Sequence, residues 1–194
     1  MTTFQMYLQL GIEHITDLKG YDHILFLITL MAVYQIKHWK KILILITAFT
    51  LGHTTSLLVA SFDLVHFSSK WIEFLIPVTI CLTALINIFQ EKADSSKGHH
   101  LFKYLLALGF GLIHGLGFSN YLKSLILNED SVAGPLFSFN LGIEAGQIMI
   151  VAAFLFLGII TLDIFKVKPR DWNLVLSGAG LGISIILMIE RFPI

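Results

Sequence analysis

Histidines and acidic residues occur inside long apolar stretches of this 194-residue chain. Asp22 and His23 are adjacent, His53 and His114 each stand among apolar residues and glycines, and Glu144 follows in a later stretch. An ionisable side chain in hydrocarbon costs about 2.5 to 3.5 kcal/mol on insertion scales, so each one needs a partner or a function. Neutral imidazole suits zinc, nickel, cobalt or copper, and a carboxylate offsets part of the charge of a dication. The pattern predicts that these five residues form one metal site.

A second set of polar residues is suited to orienting these ligands. Asn140, Glu144 and Gln147 are spaced i, i+4, i+7, which puts them on one stripe of a helix. We expect Asn140, Gln147 and Thr50 to hold the ligands through hydrogen bonds, because the outer partners of a metal site fix the orientation of its ligands. His14 is the candidate for a further, flexible ligand at the mouth of the site.

These residues also have structural interpretations. A single histidine in a membrane helix is more often a hydrogen-bonded packing residue than a ligand. Asp22 alone fits the cap of a helix, and Glu144 with its two amide neighbours fits a network of hydrogen bonds between helices. The occurrence of five such groups in one small chain favours a shared metal over five separate explanations.

The composition is that of a membrane protein. Hydrophobic residues make up 56% of the chain and charged residues only 13%, which is too apolar for a soluble domain. Cationic and anionic residues number 13 each, so there is no basic excess that would bind nucleic acid. We therefore expect a lipid bilayer and a metal ion as partners, and no nucleic acid.

The predicted fold is all-α: a single transmembrane domain over residues 1–194, with six membrane-spanning helices. A helix needs roughly 20 apolar residues to cross the hydrocarbon, and the segments that qualify are 21–36, 42–62, 71–90, 104–122, 135–162 and 172–189. The first is short, about 24 Å at 1.5 Å per residue, so its outer end is expected to lie below the membrane surface or to extend backwards. Residues 1–19 before it are predicted to form a short interfacial helix, with Phe4, Leu8, Ile12 and Ile15 on its apolar side.

The cationic residues predict the orientation of the chain. The first, third and fifth loops hold nine of them, and the opposite side holds four: Lys19, Lys70, Lys123 and Arg191. Because short cytoplasmic loops carry the excess of lysine and arginine, both termini should lie on the non-cytoplasmic side of the inner membrane. In that orientation His53 and His114 lie near mid-membrane and Glu144 lies about 13 Å from the outer end of its helix. The site should therefore open to the outer side.

Four ordered motifs resemble those of the HupE/UreJ hydrogenase and urease accessory membrane proteins, in particular the less-described second branch. They are GYDHILF at 20–26, TAFTLGH at 47–53, FGLIHGLGF at 110–118 and FNLGIEAGQ at 139–147. The resemblance implies a six-helix membrane protein that binds nickel or cobalt and moves it across the membrane for enzymes that need it. Metalloenzyme-maturation proteins are the partners that it implies.

Two functions follow from these residues. The first is a permease in which a dication (Ni, Co or Zn) enters from outside, exchanges water for the five ligands and passes inward. The second is a membrane-embedded zinc hydrolase in which Glu144 or Asp22 is the general base for a metal-bound water. The resemblance favours transport, whereas a ligand set concentrated at one side of the membrane suits the enzyme. A metal-dependent structural or sensing subunit is a third interpretation.

Overall fold

The computed structural model describes residues 2–62, 68–90, 97–126 and 131–193, with backbone alone at 97–100 and 126. The described chain is helical, as the sequence predicted, and has no strand. The seven α-helices are α1 (Thr3–Thr16), α2 (Asp22–Met31), α3 (Trp39–Ser61), α4 (Ser69–Phe89), α5 (Lys97–Ile126), α6 (Ala133–Gly158) and α7 (Pro169–Glu190). A short 3-10 turn (Ile36–His38) precedes α3, and a π-helical segment (Ile159–Ile164) continues α6.

Glycines bring two pairs of helices into backbone contact. A Cβ atom at Gly52 of α3 would overlap the carbonyl oxygen of Leu108 in α5, and one at Gly111 of α5 would overlap that of Phe49 in α3. The same relation joins Gly11 of α1 to the backbone of α6. Small residues allow this close approach, which is how helices associate in the absence of a hydrophobic driving force.

The helix bundle has two ends, which we name the Ser61 end and the Trp39 end after the last and first residues of α3. At the Ser61 end α3, α5 and α7 finish and α4 and α6 begin; at the Trp39 end the reverse holds. Arg170 at the start of α7 donates hydrogen bonds to the carbonyl oxygens of Ile88 (2.6 Å) and Gln90 (2.9 Å). These bonds satisfy carbonyl groups that the last turn of α4 leaves unpaired, so α4 and α7 are fixed to each other at the Trp39 end.

Among the residues that the structure describes, five helical segments are long and apolar enough to cross a membrane: Ile36–Ser61, Ser69–Phe89, Leu101–Leu125, Ala133–Ile164 and Pro169–Glu190. They correspond to the second through sixth predicted spans. The first predicted span, 21–36, differs, because its helix stops at Met31 after 10 residues. Ten residues rise only about 15 Å, roughly half of the hydrocarbon thickness. Six crossings therefore stay a prediction.

The N-terminal segment forms α1, whose first turn is closed by a capping box. The Gln5 backbone N–H donates to the Thr2 hydroxyl oxygen (3.2 Å), and the Thr2 N–H donates to the Gln5 side chain (3.0 Å). The helix lies along the first half of α6 and buries Tyr7 and Ile15. The predicted segment is thus helical and part of the bundle, whereas its position at a membrane surface stays a prediction.

Candidate metal centre

Four histidines from four helices converge in the half of the bundle nearer the Ser61 end. We call them the histidine cluster: His14 of α1, His23 of α2, His53 of α3 and His114 of α5. The ring centres of His14 and His23 are 4.7 Å apart, those of His23 and His114 are 5.1 Å apart, and those of His14 and His53 are 5.8 Å apart. One nitrogen from each of His14, His23 and His53 can be chosen so that all three lie within 4.8 Å of one another.

Five imidazole nitrogens of the cluster are buried and have no hydrogen-bond partner among the described residues. Within the described part of the chain the unpaired atoms are His14 Nε2, His23 Nε2, both nitrogens of His53, and His114 Nδ1. His53 and His114 are 0% and 1% exposed. A buried polar atom without a partner costs about 1 to 3 kcal/mol. A metal ion among these nitrogens would remove this cost, so the donor set fits a transition-metal dication.

The neighbour of His114 indicates which of its nitrogens is free to bind metal. The Thr79 hydroxyl donates its hydrogen to the carbonyl oxygen of Ile76 (2.7 Å), and the same hydroxyl oxygen lies 3.2 Å from His114 Nε2. A hydroxyl has one hydrogen, so Thr79 can only accept from Nε2–H. The remaining nitrogen, Nδ1, then carries the lone pair and faces no other partner among the described residues.

Phenylalanine rings surround the cluster. The ring of Phe118 lies 3.9 Å from that of His14 and stacks on that of Phe139 at 5.2 Å. On the side towards the Trp39 end, Phe26 and Phe49 lie 5.1 Å apart, and both contact His114 at 5.2 Å. These rings exclude water, which strengthens the attraction between a cation and its ligands.

A cavity of about 280 Å³ reaches the cluster from the Ser61 end. Three carboxylates line it, those of Asp17, Asp22 and Glu73, together with the Arg191 guanidinium. His14, His23 and His114 also belong to its wall, so the cavity connects the imidazoles with the exterior of the bundle.

Asp22 is held by Arg191. The guanidinium Nη1 donates to Oδ2 at 2.8 Å and Nη2 donates to Oδ1 at 3.2 Å, a two-pronged ion pair. Burial disfavours the charged form of Arg191, but the hydrogen bond and the charge of Asp22 outweigh it and raise the pKa of the guanidinium. Asp22 therefore lies beside His23 at the cavity with its charge already balanced.

Glu144 lies at the interface of α3 and α6. Its Oε1 accepts a hydrogen bond from Thr47 at 2.8 Å. The two other members of its stripe also contact threonines of α3: Gln147 contacts Thr50 at 2.8 Å and Asn140 contacts Thr54 at 2.6 Å. These three bonds connect α3 and α6 in the manner of an interhelical hydrogen-bond network. They hold the helix that carries His53.

Thr79 and Arg191 belong to the surroundings of the cluster although the sequence did not point to either. Thr79 is one of several threonines in an apolar helix, and nothing near it in sequence distinguishes it from Thr83. Arg191 had one available signal, since it is one of only four cationic residues predicted on the outer side. A cation on the outer side is a natural candidate partner for an aspartate at the outer end of the first predicted span.

The family model described as HupE / UreJ protein matches residues 1–190 of the chain. No curated protein and no solved structure matches the chain.

Proposed function

The chain belongs to the HupE / UreJ family, and we propose that it binds a divalent transition-metal ion at the histidine cluster and carries it across a membrane. The observation that supports this most directly is the convergence of buried imidazole nitrogens without hydrogen-bond partners. The family is linked to nickel and cobalt accessory or transport roles. Nickel or cobalt is therefore the proposed cargo, and zinc is the other ion that imidazole ligands suit.

In this proposal His14, His23 and His53 provide the first three ligands, and His114 joins them through Nδ1. Nitrogens bound tetrahedrally at about 2.0 to 2.1 Å lie about 3.3 Å from one another. The three nitrogens lie within 4.8 Å, so binding draws the rings together by about 1.5 Å at most. Side-chain rotation can supply such a movement without a shift of the helices.

We assign different parts to the two predicted carboxylate ligands. Asp22 is adjacent to His23 and lines the same cavity. Its carboxylate can therefore exchange its ion pair with Arg191 for an interaction with the arriving metal cation. Glu144, with its bond from Thr47, positions α3 so that His53 faces the cluster. The amides of Asn140 and Gln147 share that positioning role through Thr54 and Thr50.

The route of the ion starts at the Ser61 end. The nine-to-four distribution of cationic residues favours this end as the outer one. A hydrated dication that enters there meets the carboxylates of Asp17 and Glu73. Their negative charges attract the ion before it exchanges its water ligands for imidazole. We propose that α2 makes the first of six crossings, and that the cavity occupies the outer part of the membrane that α2 is too short to reach.

Release requires a second conformation. Towards the Trp39 end the rings of Phe26, Phe49 and Phe110 are buried against one another, and an apolar core lies beyond them. A dication cannot cross that layer while the helices keep these positions. We propose alternating access, with this layer opening only after the outer cavity has closed, and transfer to metalloenzyme-maturation proteins on the inner side.

A zinc hydrolase is the second candidate, and one observation favours it. Three imidazoles beside an open cavity is the arrangement of a catalytic zinc, which keeps one position for water. Asp22 would be the general base in that case, because it lines the cavity, whereas Glu144 is engaged with Thr47.

Purified protein in proteoliposomes separates these functions. Nickel or cobalt is added outside, and its accumulation inside is followed for the wild type, His53→Ala, His114→Ala and the control His38→Ala. His38 lies at the Trp39 end and accepts a hydrogen bond from the Gln35 N–H, so the control should transport normally and the cluster variants should not. Metal bound firmly but never accumulated would favour the hydrolase, and absence of bound metal in every protein would refute both.

A further inference from the structure

A second cavity, of about 250 Å³, lies at the Trp39 end, far along the bundle from the histidine cluster. It separates the segment that precedes α3 from the end of α6 and the π-helical segment. Its deeper wall is apolar and includes Phe154, Leu155 and Ile159. Lys37 and Asp163 line it as well, and both are exposed. The cavity is therefore amphipathic, with one charge of each sign at its mouth.

The position of these charges corresponds to the boundary between hydrocarbon and headgroups. Lys37 and Asp163 lie at the ends of two membrane-crossing segments, Ile36–Ser61 and Ala133–Ile164. Nearby, Trp39 is exposed and lies 5.5 Å from the Lys40 ammonium. Tryptophan and lysine are typical of this boundary. A molecule in the cavity would thus have its polar part at headgroup level and its apolar part in the hydrocarbon.

The backbone beside the cavity has an unusual form. The Phe165 N–H donates to the carbonyl oxygen of Ile160 (3.0 Å), which is the wide i to i+5 turn of a π-helix. Lys166, which follows, has a φ angle of 57°, in the left-handed region that residues other than glycine seldom adopt. Segments of π-helix are rare in proteins, and those that occur are often found at functional sites.

Tyr34 lines the same cavity. Its side chain is 2% exposed, and its hydroxyl has no hydrogen-bond partner in the part of the chain that the structure describes. Because the hydroxyl itself is inaccessible, a ligand in the cavity would meet other atoms of Tyr34.

We propose that this cavity binds a phospholipid with an ethanolamine headgroup. The phosphate binds the Lys37 ammonium, the primary ammonium of the headgroup donates to Asp163, and an acyl chain lies along Phe154, Leu155 and Ile159. Lys37 and Asp163 do not pair with each other or with any other described residue, so both charges remain for the ligand. An anionic lipid would satisfy Lys37 but would be repelled by Asp163.

The test is native mass spectrometry of the purified, delipidated full chain, titrated with phosphatidylethanolamine, phosphatidylglycerol and phosphatidylcholine of the same acyl composition. Phosphatidylethanolamine should be retained best. Removal of one charge, by Lys37→Gln or Asp163→Asn, should weaken its binding about tenfold, which corresponds to about 1.4 kcal/mol. The matched controls are Lys40→Gln and Asp171→Asn, which change exposed charges at the same end outside the cavity.

A third variant closes the cavity without disturbing the fold. Gly158 lines it, and a Cβ there would meet nothing within 4 Å, so Gly158→Leu should remove the bound lipid while leaving metal binding at the histidine cluster unchanged. Equal retention of all three lipids by every variant would identify ordinary surrounding lipid and overturn the proposal. Tighter phosphatidylglycerol binding by Asp163→Asn, with no preference for phosphatidylethanolamine in the wild type, would also overturn it.

Discussion

Removal of the Thr79 hydroxyl tests the assignment of His114 as a metal ligand. In Thr79→Val the methyl group takes the place of the hydroxyl at nearly constant volume, and His114 Nε2–H loses its acceptor. The matched control is Thr83→Val on the same helix. Thr83 is also buried, and its hydroxyl donates to the carbonyl oxygen of Thr79 (2.8 Å). Both variants thus lose a similar helix-internal bond, and only one loses a contact with the cluster.

The expected size follows from how metal changes the hydrogen bond. In the metal-free protein the bond is between neutral groups, worth about 0.5 to 1.5 kcal/mol. When His114 Nδ1 binds a dication the ring becomes more positive, and the bond falls in the charge-assisted range of about 1.5 to 3 kcal/mol. The difference, about 1 to 1.5 kcal/mol, is about a tenfold loss of affinity in Thr79→Val. Loss of a second-sphere partner typically weakens metal binding by about 10- to 100-fold, which agrees.

The assay is equilibrium dialysis of purified protein against nickel, cobalt and zinc at fixed pH. The thermal unfolding of the metal-free proteins is measured in parallel, so that a general loss of stability is recognised. Thr83→Val should bind metal like the wild type. If the two variants lose affinity equally, or if neither does, then His114 does not bind metal through Nδ1 and the tautomer argument is refuted.

Three further predictions concern the mouth of the site, protons and packing. Arg191→Gln removes a cation beside the cavity and frees Asp22, so the dissociation constant for metal should fall; a rise would mean that the ion pair chiefly supports the fold. Burial, together with the neighbouring imidazoles, lowers the pKa of His14 well below its ordinary value, so protons should compete with metal only at low pH, and the affinity measured by dialysis should stay nearly constant from about pH 7.5 to about pH 6.5 and fall below that range. A decrease that is already complete at about pH 6.5 would argue against buried imidazole ligands. Gly52→Ala forces α3 away from Leu108 and should destabilise the protein by about 1 to 3 kcal/mol in thermal unfolding, whereas Gly178→Ala in α7, where a Cβ meets nothing within 4 Å, should be neutral.

The lengths of the apolar segments and the helical periodicity of the residues predict much of the architecture from the sequence alone. The all-α class, the second through sixth helices and the family were predicted from sequence, and the fold class and the family are confirmed. The depth of a residue also follows from counting, since each residue adds about 1.5 Å along a helix. This counting brought His53 and His114 to one level and His23 to the same level only if the short first helix is recessed, and the structure has the ring of His23 close to both.

Periodicity and depth along a helix do not predict how each helix is rotated about its axis or which segments distant in sequence are in contact. Periodicity puts Glu144 on one stripe with its amide neighbours, but it does not say which helix that stripe faces, and the partner is Thr47. The end of α2 at Met31 has no sequence signal, because apolar residues continue to Tyr34. The pairing of Asp22 with Arg191 joins residues 169 positions apart. The placement of His14 in the cluster depends on α1 packing against α6, which its amphipathic pattern did not specify.

The most direct test of the account is X-ray absorption spectroscopy of the purified protein loaded with zinc or nickel, compared with His53→Ala. The account predicts one ion per chain with at least three imidazole nitrogens, for zinc at about 2.0 to 2.1 Å, and one imidazole fewer in the variant. A spectrum with oxygen ligands alone, or the same imidazole count in both proteins, would contradict it.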